Sequence, residues 1–422
     1  MMQLNDEQKR MLDGADGPGI QKCMDLLVKW GVSFGAKEMV HVCSAHISPN
    51  YRNEFLEEMS EGATRVRCTT TTHATFDPVF WENIGVQFKK DASLGGGILV
   101  TDPMDVEKRA KLLISLGVWP TYTCAPYSVG VVLKQRDVCC WVGSGGQIIS
   151  NSIFGAYGGR ESVSTCFAAA MTGYTPKMGL LQRELRVSEL LIKVPSNLTT
   201  ENWTEADYGA LGYFVGGIAG QRNVAIEGLS PELHFDTCRM LLSPQPVSGA
   251  VAICKIIGLS PGASTREEAF GGKSPAEIVE VDRSSLEEAR GKLNSSAERD
   301  VDLVVLGCPH LSLSEIAKVT DLLRGKKVNS KVMLLVGIAR ATQTVVNQAG
   351  IMDIIEESGA HVVNACLGPM NPLIYAKNQP KIVATNSARA SHYIQANSAN
   401  QMKTLYGDMN QCINAAVTGK WR

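Results

Sequence analysis

No two of the twelve cysteines are separated by two residues. That absence excludes the paired spacing of zinc ribbons and ferredoxin-type clusters, so any metal site has to be assembled from distant segments. No apolar run approaches the roughly 20 residues of a membrane span. The first ten residues, Met1 to Arg10, are polar and lack the apolar stretch of a secretory leader. Neither sign of charge predominates, with a formal net charge of −1 and no polybasic tail, which removes the field that would gather nucleic acid. Without an export signal a disulfide framework is the weaker reading of the cysteines, and a cytoplasmic protein with reduced thiols is expected.

What is present is ordinary globular material: 422 residues, 44% hydrophobic and 20% charged, enough for two or three domains with large cores. Residues 1–40 read as helices, with Asn5 as an N-cap and apolar residues at helical spacing from 17 to 34. Strand-like runs then alternate with helical ones. Residues 39–42 and 63–68 read as strands, ending in the polar turns 43–48 and 69–73. Val138 to Trp141 is a strand leading into the glycine-rich 143–146. Asp302 to Leu306, a turn, a helix from Ser312 to Leu323 and a strand at 331–336 form a β-α-β unit. The glycine-rich stretch 209–220 reads equally as a close-packed helix or a loop. The expected fold class is α/β with mainly parallel sheets, divided into residues 1–225, carrying the polar turns and Cys124, and 226–422, carrying Cys308 and Cys366. In such sheets ligands sit beyond the carboxyl ends of the strands, where the polar turns fall.

Three cysteines stand beside a proline or glycine where an apolar run stops: Cys124 in Thr123-Cys124-Ala125-Pro126, Cys308 in Gly307-Cys308-Pro309-His310 and Cys366 in Cys366-Leu367-Gly368-Pro369. Cys308 also precedes a helix start, where backbone N–H groups favour a thiolate. Thiolate is the natural ligand of iron–sulfur clusters, and three thiolates on a cubane leave one iron open to act as a Lewis acid. The other thiols, such as Cys23, Cys254 and Cys412, are expected as small buried hydrophobes.

These segments, taken in order, resemble the aconitase X family. The resemblance is carried by Ser44-Ala45-His46-Ile47-Ser48, the threonines 69–72, Thr123-Cys124-Ala125-Pro126-Tyr127, Asn151-Ser152 with Gly155, Arg160-Glu161, residues 168–173, Gly307-Cys308-Pro309-His310, and Thr385-Asn386-Ser387 with His392-Tyr393. It implies an aconitase-like fold of several three-layer α/β/α units. It implies an iron–sulfur cluster on Cys124, Cys308 and Cys366, with nuclearity open among [4Fe-4S], [3Fe-4S] and [2Fe-2S]. It also implies a swivelling domain of modest size that closes over the cluster. Only about twenty residues follow position 400, so that domain is expected on a separate small subunit, with this chain as the large one. The implied activity is hydro-lyase: loss of water from a small hydroxy-carboxylic acid such as a cis-3-hydroxyproline-like acid or phosphomevalonate. An aconitase-type isomerase and a non-catalytic iron or redox sensor are the alternatives.

The remaining site candidates follow the polar turns. Ser44, His46 and Ser387 are the catalytic candidates, His46 as a proton carrier. Ser48, Thr71, Thr72, His73, Asn151, Ser152, Arg160, Asn386 and Arg389 are the substrate-binding candidates, with Arg160 the foremost anion clamp because a guanidinium fork matches carboxylate and phosphate. His310 is placed to orient the cluster. The chain departs from the family pattern at Thr72-His73, where relatives carry an asparagine-containing turn, at Gly143, where a glutamate is common, and at Asn386 and Arg389, where an acid and a lysine are usual.

Overall fold

The computed structural model describes residues 2–75, 78–88, 93–94, 98–99, 103–198, 200–369 and 371–422. Among the described residues, three parallel sheets organise the chain. The first has the spatial order Thr69–Thr72, Ser44–Ile47, Val138–Trp141, Tyr157–Gly158. The second runs Cys254–Ile256, Val224–Glu227, Leu190–Lys193, Glu277–Glu280. The third runs His361–Val363, Met333–Gly337, Leu303–Leu306, Ile382–Thr385, Lys403–Tyr406. Helices pack on these sheets, in an aconitase-like α/β/α arrangement. A division at 225 falls inside the strand Val224–Glu227, which is paired on both sides.

Two strands lie later in the chain than their sequence suggests. Ser44–Ile47 is itself a strand, buried on both faces, and not a turn after a strand at 39–42. Met39–His41 instead pairs antiparallel with Tyr174–Pro176. Likewise the threonines Thr69–Thr72 form the strand, and 63–68 is its approach. A central parallel strand has no solvated face, and here polar side chains are buried because neighbouring chain segments satisfy them.

Ser144–Ser152 is a helix, so the glycine-rich 143–146 is its start. The stretch 209–220 resolves as the helix Glu205–Ala219. Gly209, Gly212 and Gly216 are a packing requirement: a Cβ on Gly212 would stand 1.9 Å from the Leu241 carbonyl oxygen on the neighbouring helix Phe235–Leu242. Asn5 caps the first helix, Asp6–Leu12, through a reciprocal bond with Gln8. The β-α-β unit appears as Leu303–Leu306, Leu313–Leu323 capped by Ser312, and Met333–Gly337. No helix among the described residues is long and apolar enough to cross a membrane.

Candidate functional site

The carboxyl ends of the first and third sheets meet. Thr75 forms a parallel bridge with Ala365, which carries the chain beyond Thr69–Thr72 alongside the segment holding Cys366. Cys308 follows Leu303–Leu306, Cys366 follows His361–Val363, and Ser387 follows Ile382–Thr385. Cys124 arrives differently. The segment 119–123 is not a regular strand but is hooked to Thr72: Tyr122 N–H donates to Thr72 Oγ1 (3.1 Å) and Thr123 N–H to the Thr72 carbonyl (3.2 Å). Tyr122 takes a positive φ of 42° at this hook, sparsely populated for a bulky residue, directly before the thiol segment.

The three sulfurs share one electrostatic environment. Burial pushes the Cys308 thiol up. Arg389 opposes that, while Cys366 and Cys124 reinforce it. Burial also raises Cys124, against the His310 N–H, which donates to its sulfur at 3.2 Å. The expected lowering of Cys308 by the helix start is not seen. The helix begins only at Leu313, after the N-cap Ser312, whose amide Glu315 already takes (2.8 Å), and desolvation prevails. Burial works against the Arg389 charge, but Tyr393 and the Cys308, Cys366 and Cys124 sulfurs outweigh it, so the guanidinium is held charged among the three thiols. Arg389 is braced by Ser144 Oγ (3.1 Å) and the Ser243 carbonyl (3.2 Å), with Tyr393 beneath it at 5.2 Å. Among the described residues, no three His, Cys, Asp or Glu side chains stand close enough to hold a single metal ion.

Three buried imidazoles complete the floor. His46 Nδ1 is hydrogen-bonded to Thr71 Oγ1 at 2.8 Å, and its ring centroid lies 5.7 Å from that of His73. Burial, and then His73, hold His46 well below the usual histidine range. Burial and His310 push His73 down to about 4, and burial takes His310 to about 4 as well. All three are therefore neutral at pH 7. His310 Nε2 bonds the Ala365 carbonyl (2.9 Å), beside Cys366. The His46 ring is also set against the Thr123 backbone, while His310 Nδ1 is buried without a partner. The His73 ring lies 3.1 Å from where a Cβ of residue 143 would stand, so Gly143 leaves the room that this imidazole fills.

The other candidates divide. Ser387 joins the thiol loops: its hydroxyl donates to the Cys308 carbonyl and accepts from Ala390 N–H as the cap of the helix Ala388–Asn397. Asn386 is buried between Thr385 and Ser387. Ser44 Oγ accepts from Trp141 Nε1 (3.0 Å) within the sheet, and Ser48 Oγ accepts from Asn50 N–H (3.1 Å), a turn-closing bond. Asn151 and Ser152 face away from the thiols. Asn151 holds Gly158, Ala252 and Arg186, and Ser152 accepts from Cys254 N–H (2.9 Å), so both stitch the first sheet to the second. A helix has two ends, and they sit at the far one. Arg160 is exposed, donates to the Gln221 carbonyl (3.4 Å) and lines a separate cavity of about 490 Å³ with Trp30 and Leu181. Its guanidinium forms no ion pair with Glu161, whose carboxyl is pushed up to about 7 by burial. Sequence reasoning missed the roles of Tyr122, of Ser144 within the glycine-rich stretch, of Arg239 and of the Tyr393 ring under Arg389; Arg239 carries no local signal of its own.

Models of the aconitase X first, second and third domains match residues 1–184, 188–291 and 301–418. The chain belongs to the aconitase X family. Among aconitase X relatives, it is 30% identical to the phosphomevalonate dehydratase large subunit of Methanocaldococcus jannaschii, over 98% of this chain and 99% of that one. It is 27% identical to the cis-3-hydroxy-L-proline dehydratase of Hypocrea jecorina, over 99% of this chain and 69% of that one. The holo-form crystal structure of Thermococcus kodakaraensis aconitase X superposes with a TM-score of 0.81 at 27% identity, covering 98% of this chain and all of that one.

Proposed function

We propose that this aconitase X chain is an iron–sulfur-dependent hydro-lyase for a small hydroxy-carboxylic acid and the large subunit of a two-chain enzyme. The observation that carries the reading is that the three thiol loops interlock: His310 N–H donates to Cys124 Sγ, the His310 ring bonds the Ala365 carbonyl next to Cys366, and Cys308 Sγ lies 2.6 Å from where a Cβ of residue 368 would stand. Buried thiols whose anions are disfavoured by desolvation suit cationic iron. Cys124, Cys308 and Cys366 would hold the cluster, and the cluster, when bound, supplies a Lewis acid for the departing hydroxyl.

The remaining chemistry falls to side chains. Loss of water breaks a C–O and a neighbouring C–H bond and forms a C=C bond; the hydroxyl departs as hydroxide, the carbon proton goes to a base, and that proton and the hydroxide together make the water released. Arg389 is the cation that holds the substrate carboxylate. Held neutral by burial, bonded to Thr71 through Nδ1 and set against the Thr123 backbone, His46 is the proton carrier available within this chain. His73 lends a neutral hydrogen-bonding wall. Thr72, Ser387 and Ser144 hold the segments that carry Cys124, Cys308 and Arg389. The name of the phosphomevalonate dehydratase relative as a large subunit supports a second chain, and twelve free thiols suit a reducing cytoplasm.

The test is anaerobic reconstitution of the chain with its partner subunit, followed by iron and sulfide analysis and a screen of hydroxy acids for loss of water. Cluster binding with dehydration of one acid is expected. Stable cluster binding without any turnover when both chains are present would replace the enzyme reading with that of a sensor.

A further inference from the structure

Behind the thiols lies a buried ionic knot. Arg239, on the helix Phe235–Leu242, is fully buried. Its Nη1 donates to Asp236 Oδ1 (2.7 Å) and Glu315 Oε2 (3.0 Å), and its Nη2 to the His310 carbonyl (2.7 Å). Asp236 Oδ2 accepts from Ser312 Oγ (2.8 Å) and Glu315 Oε2 from Ser312 N–H (2.8 Å). The excess carboxylate charge of this knot rests against the amino end of the helix Leu313–Leu323, where the backbone dipole offsets it. On the other side, the guanidinium carbon lies 5.9 Å from the Tyr127 ring centroid, three residues after Cys124.

One peptide links this knot to the site. The His310 carbonyl takes the Arg239 bond while the His310 N–H donates to Cys124 Sγ. The helix bearing Arg239, the loop bearing Cys308 and the segment bearing Cys124 belong to the second, third and first family domains respectively. We propose that Arg239 is a positioning residue that locks the 307–312 loop against Cys124 and thereby sets the Cys124–Cys308 pair. Its bearing on iron rests on the function proposed above; its bearing on the loop does not. A planar fork serves a carbonyl and two carboxylates at once, whereas the point charge of a lysine does not.

The experiment measures amide hydrogen exchange in segment 307–312 of the cluster-free full chain. The variants are Arg239→Lys and, as a control, Arg186→Lys, another buried arginine whose partners are Asn151, Ala156 and Leu180, none of them in a thiol loop. Expected is exchange at least ~10-fold faster across 307–312 in Arg239→Lys, with no such change in Arg186→Lys at a matched loss of Tm. Unchanged exchange, or equal acceleration in both, overturns the inference. Should Arg239→Lys not fold, Asp236→Ala, which leaves the arginine but removes one anchor, decides by the same comparison. After reconstitution, Arg239→Lys should also lose iron to a chelator faster than Arg186→Lys. A loosened loop in a chain whose wild type never takes iron would sink the cluster reading and leave the positioning role standing.

Discussion

At the scale of single residues, charge and burial make separate predictions. Cys124→Ser, Cys308→Ser and Cys366→Ser should each lose most of the reconstituted iron, measured anaerobically, because a hydroxyl is a poor substitute for thiolate. Arg389→Gln should cost about 1.5–3 kcal/mol of transition-state binding, the worth of a hydrogen bond to a charged group, or roughly 10- to 150-fold in kcat/KM. His73 gives a pH signature. Its folded pKa, about 4, lies below the ordinary value of 6.5, so the unfolded chain binds the proton first on acidification. The stability that neutral burial contributes is therefore complete above pH 6.5 and falls as the pH drops towards 4. Unfolding midpoints of wild type should decline between pH 7 and 5 more steeply than those of His73→Gln; equal slopes would remove His73 from the account.

At the scale of elements, the thiol loops are held by strand ends and tight turns. Gly307 has a φ of 101°, and a Cβ there would stand 2.3 Å from the Gly337 carbonyl oxygen on the adjacent strand. Gly307→Ala should cost roughly 1–3 kcal/mol through overpacking, with further strain from the backbone, seen as a lowered Tm and lowered iron content. Elements with strong local chemistry were readable in advance: the β-α-β unit around Cys308 has apolar strands, a Ser312–Glu315 capping box and helical periodicity. The threonine strand Thr69–Thr72 and the Ser44–Ile47 strand were not, because polar residues in a buried strand look like a turn until their partners are known. His46 is satisfied by Thr71 on the next strand, and Thr72 by a segment fifty residues away. The misplacement of Asn151, Ser152 and Arg160 has the same origin. A short motif shows which residues are polar but not which end of the helix, or which side of the sheet, faces the cleft.

At the scale of the whole molecule, loops beyond the first and third sheets meet in one place, braced by Arg239 and the Ser243 carbonyl from the second domain, and no single segment makes the site. If the chain is a large subunit, it should take up iron alone but turn over no hydroxy acid until its partner is added. Chelator treatment of the assembled enzyme should abolish dehydration, and re-addition of iron and sulfide should restore it. Dehydration by the isolated chain at the rate of the mixture would remove the partner from the mechanism.

The sequence by itself determined the family, the α/β class and the identity of the cysteines worth testing, because those rest on residue types, local periodicity and motif order. Only the tertiary structure decided that Arg389 rather than Arg160 stands among the thiols, that Gly143 makes room for His73, and that Arg239 ties the Cys308 loop to Cys124. Those facts depend on contacts between residues tens to hundreds of positions apart, and it is burial at such contacts that selects which charges and hydrogen bonds survive.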